Sequence, residues 1–286
     1  MTEFVKLMRV HQWVKNGFVF APLFFTPHAI DFENIVRVSL GALAFCLFSS
    51  SVYILNDYKD READRQHPSK RTRPLASGTV SVPAAFGLMA GLLAVGIALG
   101  ASLSSEFLII TLLYLALNVA YSMGLKHVAI IDVMIIALGF VMRIQAGAEL
   151  IAIDNSAWIV MCTFMLALFL AIAKRRDDIV RKLAFEHRRS LEGYTRRYLD
   201  IALAVTLSAV LISYMIYTAD SEVAERLGTE QLYLTLPFVT AAVLRYLQIT
   251  FVEERSGSPT TLVLTDRFLL VCMAGWVATF AALIYL

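Results

Sequence analysis

One densely charged segment lies between two long apolar runs and constrains what this chain can fold into. It covers residues 56–78 and reads N-D-Y-K-D-R-E-A-D-R-Q-H-P-S-K-R-T-R-P-L-A-S-G. The chain has 286 residues, of which 58% are hydrophobic and 17% charged, and its mean hydropathy is +0.68. No water-soluble globule of this size needs so many apolar residues, so we predict an integral membrane protein that holds the charged segment at the membrane surface.

Nine apolar segments approach the roughly 20 residues that cross a hydrocarbon core as a helix. They lie at residues 17–30, 35–55, 81–103, 106–124, 129–150, 156–173, 198–218, 231–249 and 266–286. We therefore predict an all-α polytopic membrane protein of about nine transmembrane helices, in which residues 1–286 form a single domain.

The basic residues predict the orientation of these helices. Most of the 25 Lys and Arg lie before the first predicted span or in the connections that follow the even-numbered spans. The positive-inside rule places these parts in the cytoplasm. We expect a plasma-membrane protein, the inner membrane where there are two, with a cytoplasmic N-terminus and cytoplasmic charged loops.

The charged segment begins with an acidic motif that predicts a metal site. On a helix of about 100° per residue, Asn56, Asp57, Asp60 and Asp64 share one face. Three carboxylates and an amide in this arrangement repel one another unless a cation lies among them. Oxygen ligands select a hard cation, most simply Mg²⁺.

A basic turn follows the acidic motif. Lys70, Arg71 and Arg73 come next, spaced by Pro68 and Pro74, so cations return toward the acidic face. Mg²⁺ and a diphosphate would fit this combination, because Arg and Lys can cover the phosphate oxygens that the metal leaves open. A solvated loop with internal salt bridges is the alternative interpretation, and the clustered acidic face makes it the less favoured one.

Residues 6–16 form a basic amphipathic stretch around Trp13. One interpretation is a helix that lies in the membrane interface and contacts anionic lipid. The other is that Lys15 and Asn16, at the mouth of the first predicted span, point toward the ligand of the acidic motif. The residues alone favour neither interpretation.

The fifth predicted span carries charges at its start and in its interior. Lys126 and Asp132 flank its entry, and Arg143 lies well inside it with Gln145. An arginine within a span costs at least about 2.5 kcal/mol on insertion scales, so it needs a partner, water or a ligand phosphate. A structural partner, such as a buried carboxylate or helix-end carbonyl groups, is one interpretation. A pocket for an anion is the favoured one.

The longest polar connection begins at Lys174 and reads K-R-R-D-D-I-V-R-K-L-A-F-E-H-R-R-S-L-E-G-Y-T-R-R-Y-L-D. Its apolar residues Ile179, Leu183 and Phe185 are sparse among cations, which predicts an interfacial helix on anionic headgroups. Lys174 and Arg175 lie at the membrane boundary and are stronger candidates to contact a ligand phosphate.

Several classes of site are not expected. The chain has no G-x-G-x-x-G, Walker A or Ser-His-Asp pattern and no soluble domain, and nothing predicts a nucleic-acid partner. Cys46, Cys162 and Cys272 lie singly in apolar segments and are predicted to be packing residues. Small residues in the third span would permit dimers or trimers without predicting either.

The motifs resemble those of a known group of enzymes. N-D-Y-K-D-R-E-A-D resembles the N-D-x-x-D-x-x-x-D motif of the UbiA-type membrane prenyltransferase superfamily, which binds diphosphate through Mg²⁺. Over residues 8–270 the chain also resembles the decaprenyl-phosphate phosphoribosyltransferase branch of this superfamily. The motifs that carry this resemblance are R-V-H-Q-W-V-K-N, D-R-Q-H-P-S-K-R-T-R-P-L-A-S-G, Y-S-M-G-L-K, G-F-V-M-R-I-Q-A-G, A-K-R-R, R-R-S-L-E-G-Y-T and T-D-R.

This resemblance implies a fold, a reaction and a set of site residues. The fold is a UbiA-type helical bundle with a cytoplasm-facing active-site cavity. The donor is 5-phosphoribosyl 1-diphosphate, the acceptor is a polyprenyl phosphate, and pyrophosphate is released. Mg²⁺ and the donor diphosphate are held by Asn56, Asp57, Asp60 and Asp64. The phosphates and ribose are surrounded by Lys15, Asn16, Lys70, Arg73, Tyr121, Lys126, Arg143 and Lys174.

We add Arg71, Asp132 and Arg175 as candidate substrate-binding residues. The candidate catalytic residues are Asp57, Asp60, Lys126 and Arg143. Two other functions remain open: ordinary UbiA-type prenyl transfer to an aromatic or other small acceptor, and a transporter or lipid-binding protein without catalysis. Transporters place polar groups near the bilayer midplane, whereas here the charges gather at one face.

Overall fold

The computed structural model describes residues 3–68, 70–180, 189–254 and 259–286, and within these ranges the chain is helical and forms no β-strand. Eight helices in this described part are long and apolar enough to cross a membrane. They begin at residues 32, 82, 105, 131, 157, 196, 232 and 267. The predicted all-α, polytopic membrane protein is thereby confirmed, with eight helices where about nine are expected.

The difference lies in the first predicted span, residues 17–30, which is not one continuous helix. A 3₁₀ helix covers Val10–Phe20, a short α-helix covers Ala21–Phe24, and a 3₁₀ turn covers Pro27–Ala29. Proline lacks a backbone N–H and is favoured in the first turn of a helix. Pro22 and Pro27 each lie in such a first turn, so the apolar run is divided into short pieces.

The α-helices are α1 Glu3–Leu7, α2 Ala21–Phe24, α3 Phe32–Lys59, α4 Arg61–Gln66, α5 Pro74–Ser77, α6 Val82–Leu103, α7 Ser105–Met123, α8 Ile131–Leu150, α9 Ala157–Val180, α10 Arg196–Ala219, α11 Ser221–Leu227, α12 Leu236–Phe251, α13 Pro259–Thr265 and α14 Arg267–Tyr285. The remaining 3₁₀ turns are Lys70–Thr72, Leu125–His127, Arg189–Gly193 and Leu232–Thr235. The interfacial helix predicted after α9, with Leu183 and Phe185, lies largely outside the described residues.

Capping side chains set the starts of the long helices. Asp31, Ser104, Thr195 and Asp266 each accept a hydrogen bond of 2.7–3.1 Å from the backbone N–H three residues later. Such caps satisfy a donor that the first helical turn leaves free. Polar residues at the ends of apolar runs therefore fix where these helices begin.

The chain divides into two compact units. The first comprises Met1–Lys126 and Gly139–Asn155, and the second comprises His127–Leu138 and Ser156–Leu286. The division falls within α8, whose first residues belong to the second unit and whose later residues belong to the first. The predicted single domain of residues 1–286 stays a prediction.

In the first unit, the N-terminal 3₁₀ helix packs on α3 through small polar residues. The hydroxyl of Ser50 donates to the carbonyl of Met8 at 2.9 Å and accepts from the indole N–H of Trp13 at 3.0 Å. Gly147 of α8 lies against the Val19 carbonyl so closely that an added Cβ would overlap it. Close backbone approach therefore holds the N-terminal segment in place.

In the second unit, the core is formed mainly by α9, α10 and α12. Phe169, Leu203, Leu207 and Ile249 are among its buried side chains. The ring of Phe169 packs edge-on against Tyr246, with centroids 5.1 Å apart. This packing supports the part of α9 that carries Arg175.

Candidate functional site

The acidic motif lies where one long helix ends and a short helix begins. α3 ends at Lys59, Asp60 caps it, and α4 starts at Arg61. The prediction of one continuous helical face is wrong, because the backbone turns at Asp60 with φ −90° and ψ 0°. Hydrogen bonds from Asp60 N–H to Asn56 O (2.9 Å) and from Asp64 N–H to Asp60 O (2.8 Å) lie on either side of the turn and keep the motif compact.

Asp57 and Asp64 share one guanidinium group. Nη1 of Arg73 lies 3.1 Å from Oδ1 of Asp57 and 2.6 Å from Oδ2 of Asp64. Asp57 also accepts a hydrogen bond from Nη2 of Arg9, whose guanidinium lies 5.2 Å from the centroid of the Tyr53 ring. Only 2% of Asp57 and 4% of Asp64 is exposed. Buried carboxylates need such charged partners to offset their lost hydration.

Asp60 pairs with Lys126, which lies in the 3₁₀ turn after α7. The Lys126 amine donates to Oδ1 of Asp60 and, at 3.3 Å, to Oδ1 of Asn56. The Asn56 amide donates to Oδ2 of Asp60 at 3.0 Å. The structure thus brings together six predicted residues in the first unit: Asn56, Asp57, Asp60, Asp64, Arg73 and Lys126.

Arg143 is buried in α8 and directs its donors at neutral groups. Its Nε donates to Oδ1 of Asn16 at 2.8 Å, its Nη1 to the Gly139 carbonyl at 2.6 Å, and its Nη2 to the Tyr114 hydroxyl at 3.0 Å. The guanidinium also lies 4.8 Å from the centroid of the Tyr114 ring. No carboxylate of the described residues pairs with Arg143, so its positive charge is not balanced locally.

Lys15 is a second cation without an acidic partner. It is half-buried in the 3₁₀ helix and makes no hydrogen bond or ion pair within the described ranges. Burial lowers the pKa of the Lys15 amine from 10.5 to about 8, and repulsion by Arg143 and Arg9 adds to the decrease. A nearby anion would favour the charged amine and reverse this decrease.

Among the groups of the first unit described above, positive charges outnumber negative ones. Three carboxylates, Asp57, Asp60 and Asp64, stand against five cations, Arg9, Lys15, Arg73, Lys126 and Arg143. Clustered Arg and Lys side chains at partly buried positions attract multiply charged anions. The arrangement can therefore bind a diphosphate or a sugar phosphate.

The oxygen atoms of the acidic motif also fit a hard cation. Across the described ranges, no three His, Cys, Asp or Glu side chains converge into a metal cage. Mg²⁺ is usually held by one or two carboxylates and by substrate phosphates rather than by such a cage. Asn56, Asp57, Asp60 and Asp64 provide ligands of this kind, so the residues present fit a magnesium ion bound together with a phosphate ligand.

Four other predicted residues are exposed or half-buried in their own units. Lys70 and Arg71 belong to a 3₁₀ turn, where the Lys70 backbone N–H donates to Nδ1 of His67 at 3.3 Å. Tyr121 is half-buried in the last turn of α7, and Lys174 is exposed on α9. Their contacts with a ligand stay predictions.

In the second unit, the candidates Asp132 and Arg175 contact each other. Nε of Arg175 lies 2.6 Å from Oδ2 of Asp132, and both side chains are almost completely buried. Asp132 also accepts hydrogen bonds from the hydroxyls of Tyr194 at 2.7 Å and Ser190 at 3.3 Å. These polar groups are used within the protein, and a substrate role for Asp132 and Arg175 stays a prediction.

Two residues of the first unit contact predicted site residues although the sequence does not single them out. Arg9 contacts Asp57 directly, and its place in R-V-H-Q-W-V-K-N was the available signal. Tyr114, which contacts Arg143, lies in the apolar α7 outside the motifs quoted above, and its sequence surroundings give no signal.

A model of the UbiA prenyltransferase family matches residues 18–269 of the chain. The chain is 34% identical to a decaprenyl-phosphate phosphoribosyltransferase from Mycolicibacterium smegmatis, over 98% of this chain and 92% of that protein. It is 33% identical to a protein of the same name from Corynebacterium glutamicum, over 99% of this chain and 86% of that protein. The similarity therefore spans nearly the whole chain.

The solved structure of a UbiA homolog from Archaeoglobus fulgidus, bound to GPP and Mg²⁺, has a similar fold. Its TM-score with this chain is 0.75 at 22% sequence identity, and the match covers 100% of both chains. At this identity the likeness establishes the shared fold alone.

Proposed function

Since the chain belongs to the UbiA prenyltransferase family, we propose that it transfers a 5-phosphoribosyl group from 5-phosphoribosyl 1-diphosphate to a polyprenyl phosphate, with Mg²⁺, and releases pyrophosphate. The observation that carries this proposal is the similarity along nearly the whole chain to the two decaprenyl-phosphate phosphoribosyltransferases. The motifs of the sequence lead to the same reaction.

The charges of the first unit support a donor with several phosphates. Arg73 and Lys126 form ion pairs with carboxylates of the acidic motif. A nearby anion would stabilise the charged form of the Lys15 amine, which burial disfavours. In the proposed complex these cations contact the phosphate oxygens of the donor, while Asp57 and Asp60 hold the metal. Arg and Lys are suited to this role because they form charge-assisted hydrogen bonds with phosphate.

The proposed reaction is a substitution at C1 of the ribose. The bond between C1 and the diphosphate oxygen breaks, and its electron pair leaves with the diphosphate. An oxygen of the polyprenyl phosphate forms the new bond to C1 from the opposite face. Cations fixed around the leaving group stabilise the charge that develops on it. Because the attacking phosphate is already anionic, the reaction needs no general base.

A magnesium ion, when bound, would neutralise part of the charge on the departing diphosphate. The remaining contribution of the chain is to hold a polar donor beside the phosphate of a lipid. The excess of basic residues in the charged loops supports a cytoplasmic site in the plasma membrane, reached by the donor from water and by the acceptor from the bilayer. Assembly into a homo-oligomer stays a prediction.

The test is a transfer assay with purified protein in detergent. Labelled 5-phosphoribosyl 1-diphosphate, MgCl₂ and decaprenyl phosphate are supplied, and we expect label to enter the lipid phase. Asp57→Asn should lower the rate by about 100-fold, the scale of losing one preorganised electrostatic contact. Glu62→Gln is the matched control, because Glu62 is an exposed carboxylate of the same region that pairs with Arg61 and Arg65.

Lack of lipid-soluble label with the unmodified protein would overturn the proposal. A product formed instead from GPP and an aromatic acceptor would support ordinary prenyl transfer. Counterflow of a labelled solute across proteoliposomes, without product, would support a transporter.

A further inference from the structure

The hydroxyl group of Tyr194 joins two neighbouring positions at the start of α8. It accepts a hydrogen bond of 2.5 Å from the backbone N–H of Ile130 and donates one of 2.7 Å to Oδ1 of Asp132. Tyr194 belongs to the R-R-S-L-E-G-Y-T motif. The proposed reaction assigns no role to this motif.

The Ile130 backbone has an unusual conformation. Its φ angle is 71°, in the left-handed region that β-branched residues rarely adopt. Packing of its side chain does not explain this, because 53% of Ile130 is exposed. Such a conformation costs free energy and persists only where the surroundings fix it. Here the hydrogen bond from Ile130 N–H to Tyr194 is the side-chain contact that does so.

Other parts of the motif hold Tyr194 against the same segment. A Cβ added to Gly193 would lie 2.5 Å from the Cβ of Ala129, so this close approach needs a glycine. Ser190 donates to Asp132, and Arg175 forms an ion pair with it. Asp132 therefore accepts hydrogen bonds from three side chains, those of Arg175, Ser190 and Tyr194. Of these three, Tyr194 also accepts a hydrogen bond from the backbone of Ile130.

The segment that Tyr194 holds lies a few residues after Lys126 in the chain. Lys126 pairs with Asp60 of the acidic motif and precedes Ile130 by four residues. We infer that Tyr194 is a positioning residue: its hydroxyl fixes the backbone at Ile130 and so limits where the Lys126 amine can lie. The inference rests on the proposed function, in which Lys126 contacts the donor.

The first measurement needs no substrate. In Tyr194→Phe, we expect the amide of Ile130 and its neighbours at 125–132 to exchange hydrogen for deuterium at least about tenfold faster, because an amide is protected only while its hydrogen bond is closed. We also expect the KM for the donor to rise by about tenfold, since small displacements of a positioning group carry large kinetic penalties.

A second substitution separates this mechanism from general destabilisation. Ile130→Gly in the Tyr194→Phe protein should restore most of the donor KM, because glycine adopts φ 71° without the cost that isoleucine bears. Val128→Gly is the matched control: Val128 is β-branched, 48% exposed and in the same segment, but it is not among the residues with positive φ. It should restore nothing.

A double-mutant cycle tests the connection to Lys126. If Tyr194 acts through the amine, Tyr194→Phe should have little further effect on donor KM in a Lys126→Met background. Additive effects, unchanged exchange at Ile130, or equal rescue by Val128→Gly would each overturn the inference. If the unmodified protein shows no transfer, the proposed function fails and the positioning role falls with it, while protection of Ile130 by Tyr194 is still decided by the exchange measurement.

Discussion

Arg143 donates a hydrogen bond of 2.8 Å to Asn16, which lies 127 residues earlier in the chain. The amide of Asn16 in turn donates to Sγ of Cys46 and to the hydroxyl of Ser49, each at 3.2 Å. Asn16 therefore ties α8, the N-terminal 3₁₀ helix and α3 together within the first unit. The structural partners of Arg143 are thus an amide, a carbonyl and a hydroxyl, while no carboxylate of the described residues balances its charge, so the geometry leaves both a structural role and contact with an anion open.

The substitution Arg143→Gln should separate these interpretations. Loss of the guanidinium leaves buried polar partners unsatisfied, which typically costs about 1–3 kcal/mol of unfolding free energy. We expect a lower midpoint in thermal unfolding in detergent, together with a raised KM for the donor. Arg37→Gln is the control, because the Arg37 side chain is 39% exposed and its one ion pair, to Glu33, is long at 3.9 Å. Unchanged stability with lost donor binding would instead indicate that Arg143 contacts the anion directly.

Lys15 should make both stability and ligand binding depend on pH. Burial lowers its pKa from 10.5 to about 8. Between these values the unfolded chain binds a proton that the folded protein does not, so the contribution of Lys15 makes the free energy of unfolding rise with pH in this window. An anionic ligand favours the charged amine, so the affinity for pyrophosphate should fall as pH rises above about 8.

Calorimetry of pyrophosphate binding between pH 7 and 10 checks this prediction. Lys15→Met should flatten the pH dependence, whereas Lys6→Met should leave it in place, since Lys6 is exposed and pairs with Glu3 at 2.5 Å. A pH profile that Lys15→Met does not alter would show that another group is responsible.

Gly147 should be intolerant of a side chain. A Cβ at this position would overlap the Val19 carbonyl, so Gly147→Ala should displace the N-terminal segment and lower the unfolding midpoint. Gly87→Ala is the matched control, because Gly87 also lies in a long helix but has no atom within 4 Å of the added Cβ. There, alanine should be neutral or stabilise by about 1 kcal/mol through helix propensity. Equal effects of the two substitutions would contradict the close approach.

The proposed metal site can be examined without turnover. We expect Mn²⁺ to bind in the presence of pyrophosphate, as measured by electron paramagnetic resonance, and Asp60→Asn to weaken this binding by about tenfold or more, since ligand charge count sets the affinity of such sites. Glu62→Gln should bind like the unmodified protein. Equal Mn²⁺ affinity in all three proteins would place the metal elsewhere.

The sequence predicted the helical class, the membrane location and the family because each depends on local composition or on contiguous motifs. The path of the N-terminal segment was not predictable from hydropathy, because hydropathy measures apolar content and not the direction of the backbone. Pro22 and Pro27 divide an apolar run that by length alone could cross the membrane. The turn at Asp60 was missed for a similar reason, because helical periodicity assumes an unbroken axis.

Pairings between distant residues were harder still. Asp132 and Arg175 are 43 residues apart, and each alone has the features of a substrate contact: a charge at a membrane boundary. Only the fold shows that they neutralise one another. Lys126 and Arg73 were expected beside the acidic motif, and the structure places them there. Arg73 could be predicted because it follows the motif closely in the chain. Lys126 could be predicted because the resemblance implies it.

The surplus of cations in the first unit has a consequence for the direction of the proposed reaction. Pyrophosphate contains the same two phosphoryl groups that these side chains would contact in the donor. The contacts that bind the donor would therefore also bind the released pyrophosphate. We therefore expect pyrophosphate to inhibit an enzyme of this kind. Its net rate in a cell would then depend on how fast a pyrophosphate-hydrolysing enzyme removes pyrophosphate from the compartment that the charged loops face.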